Sequence, residues 1–211
     1  MIAINPIKTW LFVIFLPLIL ALVGCALPDK AARPASYDFG PGPLAVAASD
    51  RRAPLPALTL AEVQASPALN SPAMLYRLLY ADAQHLQAYA LSRWSMTPAE
   101  LLRQRLADTL GQRRALLSPE GGAPAGTATL RLSLEEFSQL FDSPQQSRGL
   151  LRLRATLSQS GPAGDRVLAQ RSIIVQRPAP SADAPGGVRA LSAATDAAAE
   201  ELLGWLAQNG Y

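Results

Sequence analysis

Apolar and polar residues alternate along much of the chain, which is the pattern of half-buried β-strands. The clearest case is the stretch in which Leu151, Leu153 and Ala155 alternate with Arg152 and Arg154. Alternation or short apolar runs bounded by Gly and Pro predict strands at 37–40, 58–63, 74–79, 86–94, 130–134, 151–157 and 167–175. Residues 41–56 are rich in Pro and Ala and predict a loop, and residues 80–85 and 160–165 predict hairpin connections.

Two segments have helical spacing instead. Thr97, Pro98 and Glu100 form a capping-box sequence, in which the hydroxyl and the carboxylate satisfy free backbone N–H groups of the first turn. A leucine at every fourth position then lines one face up to Gly111, which leaves Arg103, Arg105 and Asp108 towards water. A second, longer helix ending near 209–210 is predicted by the three- and four-residue spacing of Val188, Leu191, Thr195, Ala198, Leu202 and Trp205.

The order is interpreted as β-β-β-β-α-β-β-β-β-α, in which seven of the eight strands are those placed above, and it predicts an α+β fold. We expect a single small domain at 37–211, with an antiparallel or mixed sheet and two main helices packed on one face. The alternation slips at Glu135 and Glu136, as it does at a β-bulge, here interpreted as a bulged edge. Adjacent residues of a strand point to opposite faces, so these two carboxylates are a poor catalytic pair.

The N-terminus predicts an export signal. Trp10 to Val23 is a run of 14 residues interrupted only by Pro17, and as a helix it covers about 21 Å, short of the roughly 30 Å hydrocarbon core. A cleaved signal peptide at 1–24 therefore fits better than a membrane span. The run ends in Leu22, Val23, Gly24 and Cys25, which resembles the lipobox of bacterial lipoproteins. The alternative is a free cysteine after an ordinary signal peptide.

Processing at this lipobox would leave Cys25 as the first residue, carrying a diacylglycerol and an N-acyl chain. Residues 25–36 then form the lipidated cysteine and a Pro/Ala-rich tether. Two or more acyl chains anchor a protein stably. Because residue 26 is Ala and not the Asp that commonly retains lipoproteins at the inner membrane, we expect the periplasmic face of the outer membrane. The periplasmic face of the inner membrane is the alternative.

Composition excludes much catalytic chemistry. The chain of 211 residues has one Cys, one His and two Lys, so an intramolecular disulfide, a thiolate cluster and a multi-histidine metal site are all excluded. His85 could pair with Asp82 three residues earlier, but no nucleophile motif or phosphate-binding loop accompanies it. We therefore expect no enzyme activity, no metal and no cofactor beyond the acyl chains on Cys25; a periplasmic hydrolase using His85 is the remaining catalytic alternative.

The charge is modest and dispersed, since the net value is +3 and 17 of the 19 basic residues are Arg. Arg131, Arg152, Arg154 and Arg171 could share one face of the sheet and meet an anionic partner or phospholipid head groups. A solvated face is the alternative interpretation. Nucleic acid is not an expected partner of an exported protein with this dispersion.

Several local motifs in order resemble the ABC-type transport auxiliary lipoprotein family, which includes the lipoprotein of the paraquat-inducible operon. The resemblance covers essentially all of 25–211. The matching positions are Tyr37 to Gly40 after the lipobox, Met74 to Arg77, Tyr89 with Arg93 and Trp94, Pro98 and Leu101, Leu132 to Asp142, and Leu202 with Trp205.

The resemblance implies a non-catalytic accessory subunit of an envelope transport system that moves lipids or other hydrophobic molecules between the two membranes. Its expected partner is a periplasmic protein with mammalian-cell-entry (MCE) domains and, through it, a permease and an ATPase. Candidate partner-interface residues are Tyr76, Arg77, Arg93 and Trp94, with the alternative that Tyr76 and Trp94 are core and the arginines its polar margin. Self-association into a homo-oligomer stays open. The alternative function is a structural or pilot lipoprotein for another envelope assembly, such as a secretin.

Overall fold

One long strand organises the domain seen in the computed structural model, which describes residues 33–42, 55–119, 124, 126–161 and 164–211. The domain forms one compact unit from Pro34 to Tyr211. Its elements are β1 (Ala35–Tyr37), β2 (Leu55–Ala65), a 3₁₀ turn (Pro67–Leu69), β3 (Ala73–Leu78), β4 (Asp82–Trp94), α1 (Pro98–Gly111), β5 (Arg114–Leu117), β6 (Ala128–Ser143), β7 (Gln146–Gly161), β8 (Gly164–Pro178) and α2 (Ala184–Gln208).

The long strand is β6, and it is paired along both sides. On one side it forms an antiparallel ladder with β7, which in turn pairs with β8. On the other side its first half pairs in parallel with β2 and its last residues pair in parallel with β3. Beyond β2 lies β5, and beyond β3 lie β4 and then β1, so the sheet is mixed and has eight strands. The predicted α+β class and element order are confirmed.

Both helices cover the same face of this sheet, which we call the helix-covered face. α2 packs on β6, β7 and β8, while α1 packs on β2 and β5 and against α2. The leucines at every second position of β6, up to Leu134, are buried there, and Leu102 and Leu106 of α1 and Leu202 of α2 meet them in one core. This burial of apolar side chains is the main stabilising contribution to the fold.

Several boundaries differ from the sequence pattern. β1 begins at Ala35, so the last two residues of the predicted tether are part of the sheet. The turn between β3 and β4 is shorter than expected, since β4 already begins at Asp82. The short strand β5 was not assigned from the sequence, and the segment 43–54 of the predicted loop lies outside the described residues.

The capping box predicted for α1 is confirmed. The Glu100 backbone N–H donates to the Thr97 hydroxyl at 3.3 Å, and the Thr97 backbone N–H donates to the Glu100 carboxylate at 2.9 Å. α2 begins earlier than expected, with Asp183 as its cap, because this carboxylate accepts a bond of 2.7 Å from the Gly186 N–H. The Ser181 hydroxyl and this N–H hold the pKa of the Asp183 carboxyl below its usual range.

Candidate functional site

The predicted lipid-attachment site lies outside the described residues. This applies to Leu22, Val23, Gly24 and Cys25 alike, and lipidation of Cys25 therefore stays a prediction. The structure does describe the point at which the chain from this site joins the domain. That point is the first place where an anchor would act on the fold.

Residues 35–40, which join the predicted tether to the domain and are called the joining segment, are held by an aromatic cluster. β1 runs parallel to the end of β4, with Tyr37 opposite Trp94. Two residues later, the Phe39 ring contacts the Trp94 ring at 5.6 Å between centroids and the Phe137 ring at 5.9 Å. Trp94 and Phe137 are each only 1% exposed, so Phe39 ties the segment to the centre of the core.

Arg105 of α1 fastens the same segment from the helix side. Its guanidinium donates to the backbone carbonyl of Phe39 and, at 3.4 Å, to that of Gly40. It also lies 3.5 Å from the carboxylate of Asp196 on α2. The expectation that Arg105 faces water is therefore wrong, because it is 6% exposed, and these carbonyls and the carboxylate compensate its burial.

A cleft of about 700 Å³ opens beside this guanidinium. It is lined by Phe39, Gly42, Arg105, Thr109, Gln112, Asp196, Ala197 and Glu200. Small-molecule sites in proteins are mostly apolar with a few placed polar groups. The lining of this cleft, with three charged side chains, does not match that description.

The four candidate interface residues do not form one surface. Trp94 is buried in the core, as the alternative interpretation expected, and so is not offered to a partner. Tyr76 is half-buried on the helix-covered side, where its ring contacts the Tyr89 ring at 4.7 Å and its hydroxyl donates to Gln87 at 3.0 Å. Arg93, next to Trp94, is exposed.

Arg77 points to the opposite side from Tyr76. Its guanidinium donates to the backbone carbonyl of Gln84 at 3.1 Å and lies 3.5 Å from the carboxylate of Glu136. Arg77 therefore braces the start of β4 and neutralises a carboxylate of β6. Of the four residues, Arg93 and Arg77 have accessible charge, although that of Arg77 is already paired.

A buried polar network joins the sheet to the beginning of α2. The Tyr89 hydroxyl donates to the Gln139 side-chain carbonyl at 2.8 Å, and the Gln139 amide donates to the Ser147 hydroxyl at 2.7 Å and to the Asp183 backbone carbonyl at 3.2 Å. Burial raises the pKa of Tyr89, so this phenol stays neutral. A methyl group at Gly187 would overlap the Gln139 side chain and would have to displace it from this network. Sequence patterns did not reveal the network.

The other face of β6, β7 and β8, which neither helix covers, is called the open face. Its arginines are largely neutralised across strands: Arg154 by Glu135 at 2.6 Å, Arg131 by Asp165 at 2.8 Å, Arg77 by Glu136, and Arg148 by Asp142. Arg152 belongs to this face and has no ion pair among the described residues. The open face is thus nearly balanced in charge, which favours a solvated face over an anionic partner.

Two sequence expectations about this region are wrong. Arg171 is not on the open face, because it lies opposite Ala155 on the helix-covered side and pairs with Glu201 of α2 at 2.8 Å. The bulge at Glu135 and Glu136 is present, but the ladder shifts there so that both carboxylates meet arginines of the open face. The bulge lies in the central strand β6 and not at an edge.

No catalytic or metal-binding group is assembled in the part of the chain that the structure describes. His85 is an exposed residue of β4, and the Asp82 carboxylate accepts from the backbone N–H of Gln84 instead of pairing with it. No cluster of three or more metal-ligating side chains occurs among the described residues. Within the same residues, no helix has the length and apolar character needed to cross a membrane.

Together these features define a class of protein: a small α+β domain with a mixed sheet, two helices on one face and a joining segment packed into the core. The model of one family, the ABC-type transport auxiliary lipoprotein component, matches residues 37–202. The chain belongs to this family. It is therefore an auxiliary lipoprotein component of an ABC-type transport system, as the motifs indicated.

Solved structures share the fold at low sequence identity. Protein XCC0632 from Xanthomonas campestris, assigned to family DUF330, aligns with a TM-score of 0.62 and 20% identity over 87% of this chain and 91% of its own. The hypothetical protein CT253 from Chlamydia trachomatis aligns with a TM-score of 0.51 and 7% identity over 74% and 97% of the two chains. Comparison with curated proteins gave no match.

Proposed function

We propose that this chain is the non-catalytic, lipid-anchored subunit of an MCE-type transport system that moves lipids or other hydrophobic molecules across the envelope. The observation that carries the proposal is the family match over 37–202, which directly follows a lipobox ending at Cys25. The family description names an auxiliary component, so the ATPase and the permease are separate chains. The domain's part is to bind the periplasmic MCE protein close to a membrane.

The structure supports an anchored arrangement through the joining segment. Force applied to the tether would act first on the pairing of β1 with β4. It would act next on the Phe39 ring in the aromatic cluster and on the Arg105 contacts of α1. These contacts tie the segment to both the sheet and the helices. The point at which the predicted tether enters the domain is therefore fixed within the domain itself.

The partner experiment is co-purification from membranes. The tagged full chain should retain the MCE-domain protein encoded beside it in a stable complex that survives detergent extraction. Absence of that complex, together with unchanged transport after deletion, would contradict the proposal. Recovery of a secretin in place of the MCE protein would instead favour the pilot-lipoprotein function.

The anchor is tested separately by lipid labelling. Labelled palmitate should enter the wild-type chain and be lost in Cys25→Ala, because the thiol is the proposed acceptor of the diacylglycerol. Equal labelling of both chains would contradict the lipoprotein anchor.

The proposed outer-membrane location is tested by a substitution at residue 26. Ala26→Asp should move the chain from the outer to the inner membrane fraction, whereas the same change at Ala32 should leave it in place. If Ala26→Asp and Ala32→Asp fractionate identically with the wild type, the proposed outer-membrane location loses its basis.

A further inference from the structure

The outer edge of β8 is an unusually long exposed strand edge. β8 has 15 residues, and among the described residues its ladder is formed with β7 alone. At the opposite side of the sheet the outermost strands are short, with three residues in β1 and four in β5. A long free edge presents a row of backbone N–H and C=O groups that another extended segment can use.

The two sides of this edge differ in chemistry. Towards the open face, β8 presents Val167 and Ile174, which are 56% and 54% exposed and rank among the few large apolar side chains at the surface. The residues between them on that face are polar, namely Gln170 and Ser172. An added strand would therefore find two separate apolar contacts on the open face.

Towards the helix-covered side, the same edge is basic. Arg166 and Arg177 are exposed near the two ends of β8, and neither has a carboxylate partner in the described parts of the chain. Arg171 lies between them and is already paired with Glu201. The Arg177 guanidinium donates to the backbone carbonyl of Gln176 at 3.0 Å. Arg166 and Arg177 are 11 positions apart along the strand, which corresponds to about 36 Å.

We propose that the outer edge of β8 binds an extended segment of a protein partner in which apolar and acidic residues alternate. Strand addition would supply backbone hydrogen bonds, and the alternation would place apolar side chains beside Val167 and Ile174 and carboxylates beside Arg166 and Arg177. A second copy of this chain fits less well, because two β8 edges would bring four unpaired arginines together. The inference is independent of the transport proposal.

The test uses a defined probe and the full chain purified in detergent. The probe is a blocked 12-residue peptide of alternating valine and glutamate, and binding is followed by titration and by hydrogen exchange. The peptide should bind and slow amide exchange within 164–178. The double variant Arg166→Glu/Arg177→Glu should weaken binding by about tenfold, because two attractive pairs become repulsive.

Arg93→Glu is the matched control, since it reverses an exposed arginine of β4, which lies on the other side of β6 from β8. It should leave binding within twofold of the wild type. The proposal is overturned if the peptide does not bind, if protection appears outside β8, or if a valine–lysine peptide binds equally well. Concentration-dependent self-association that protects 164–178 without peptide would assign the edge to a second copy instead.

Discussion

The two faces of the sheet are built on opposite principles. The helix-covered face buries leucine, alanine and aromatic side chains in one continuous core, with α1 and α2 closing it. The open face has rows of arginine and carboxylate that neutralise each other across strands. The comparison indicates that the covered face supplies most of the stability. The open face and its β8 edge contribute less, so their residues are available for contacts with a partner.

The largest effect should come from Trp94 on the covered face. Trp94→Ala should lower the free energy of unfolding by about 3–5 kcal/mol, because it empties a fully buried site that Phe39 and Phe137 also form. Denaturant unfolding of the purified chain measures this loss, and Trp94→Phe provides a milder variant that retains part of the cluster. Arg93→Ala, at the exposed neighbour, should cost less than about 0.5 kcal/mol. Equal losses at the two positions would remove the distinction between core and margin.

Gly187 tests the contact between α2 and the sheet. Gly187→Ala should destabilise by about 1–3 kcal/mol, because the added methyl group displaces Gln139 from the buried network with Tyr89 and Ser147. In the same helix, Gly204 has open space around the position of a methyl group, and Gly204→Ala should stabilise by about 0.5–1 kcal/mol. Thermal melts of both variants should therefore shift in opposite directions, and shifts of the same sign would contradict the packing described here.

Asp183 gives a pH-dependent test of the α2 cap. The pKa of its carboxyl is lowered in the folded state, so its stabilising contribution is complete above the unfolded pKa of about 3.9 and is lost as the pH falls through the lower folded value. Asp183→Ala should cost about 1 kcal/mol at pH 7, and the gap to the wild type should narrow as the pH falls below the unfolded pKa. Denaturation at several pH values measures the gap; a gap that persists in acid would mean that the charge is not what caps the helix. Asp108→Asn is the control for loss of one exposed negative charge.

The smallest effect is expected on the open face. Arg154→Gln removes the ion pair with Glu135, whose groups are both partly exposed to solvent, and should change stability by only about 0.5 kcal/mol. Raising the salt concentration should remove most of that difference. A loss comparable to that of Trp94→Ala would show that the charge rows, and not only the core, hold the sheet together.

Local signals made part of this fold predictable. The capping box at Thr97 and the slip of alternation at Glu135 depend on neighbouring residues, and both features are present at those residues, although the bulge lies in a central strand. Long segments with regular spacing, such as α2 and β7, were also recognised. The strand β5 was not predicted because four residues are too few to show a pattern, and its partner β2 lies nearly sixty positions earlier in the chain.

The candidate site was harder to predict because its features depend on contacts between distant segments. Arg105 is spaced as a solvent-facing helix residue, and its burial follows only from Phe39, Gly40 and Asp196. Arg171 shares its face of β8 with Ile173 and Val175 by regular alternation, and only the pairing with β7 shows that this is the helix-covered face. The free edge of β8 cannot be inferred from its own residues, since it depends on which strands pair elsewhere.

We propose, by joining the two proposals, that the transport partner binds at the β8 edge while the helix layer serves stability. Hydrogen exchange on the full chain, alone and in complex with the proposed MCE-domain partner, tests this most directly. We predict slower exchange in β8 and along the open face, with the buried amides of α2 unchanged. Protection confined to the exposed surface of α1 and α2, with β8 exchanging as in the free chain, would contradict the account.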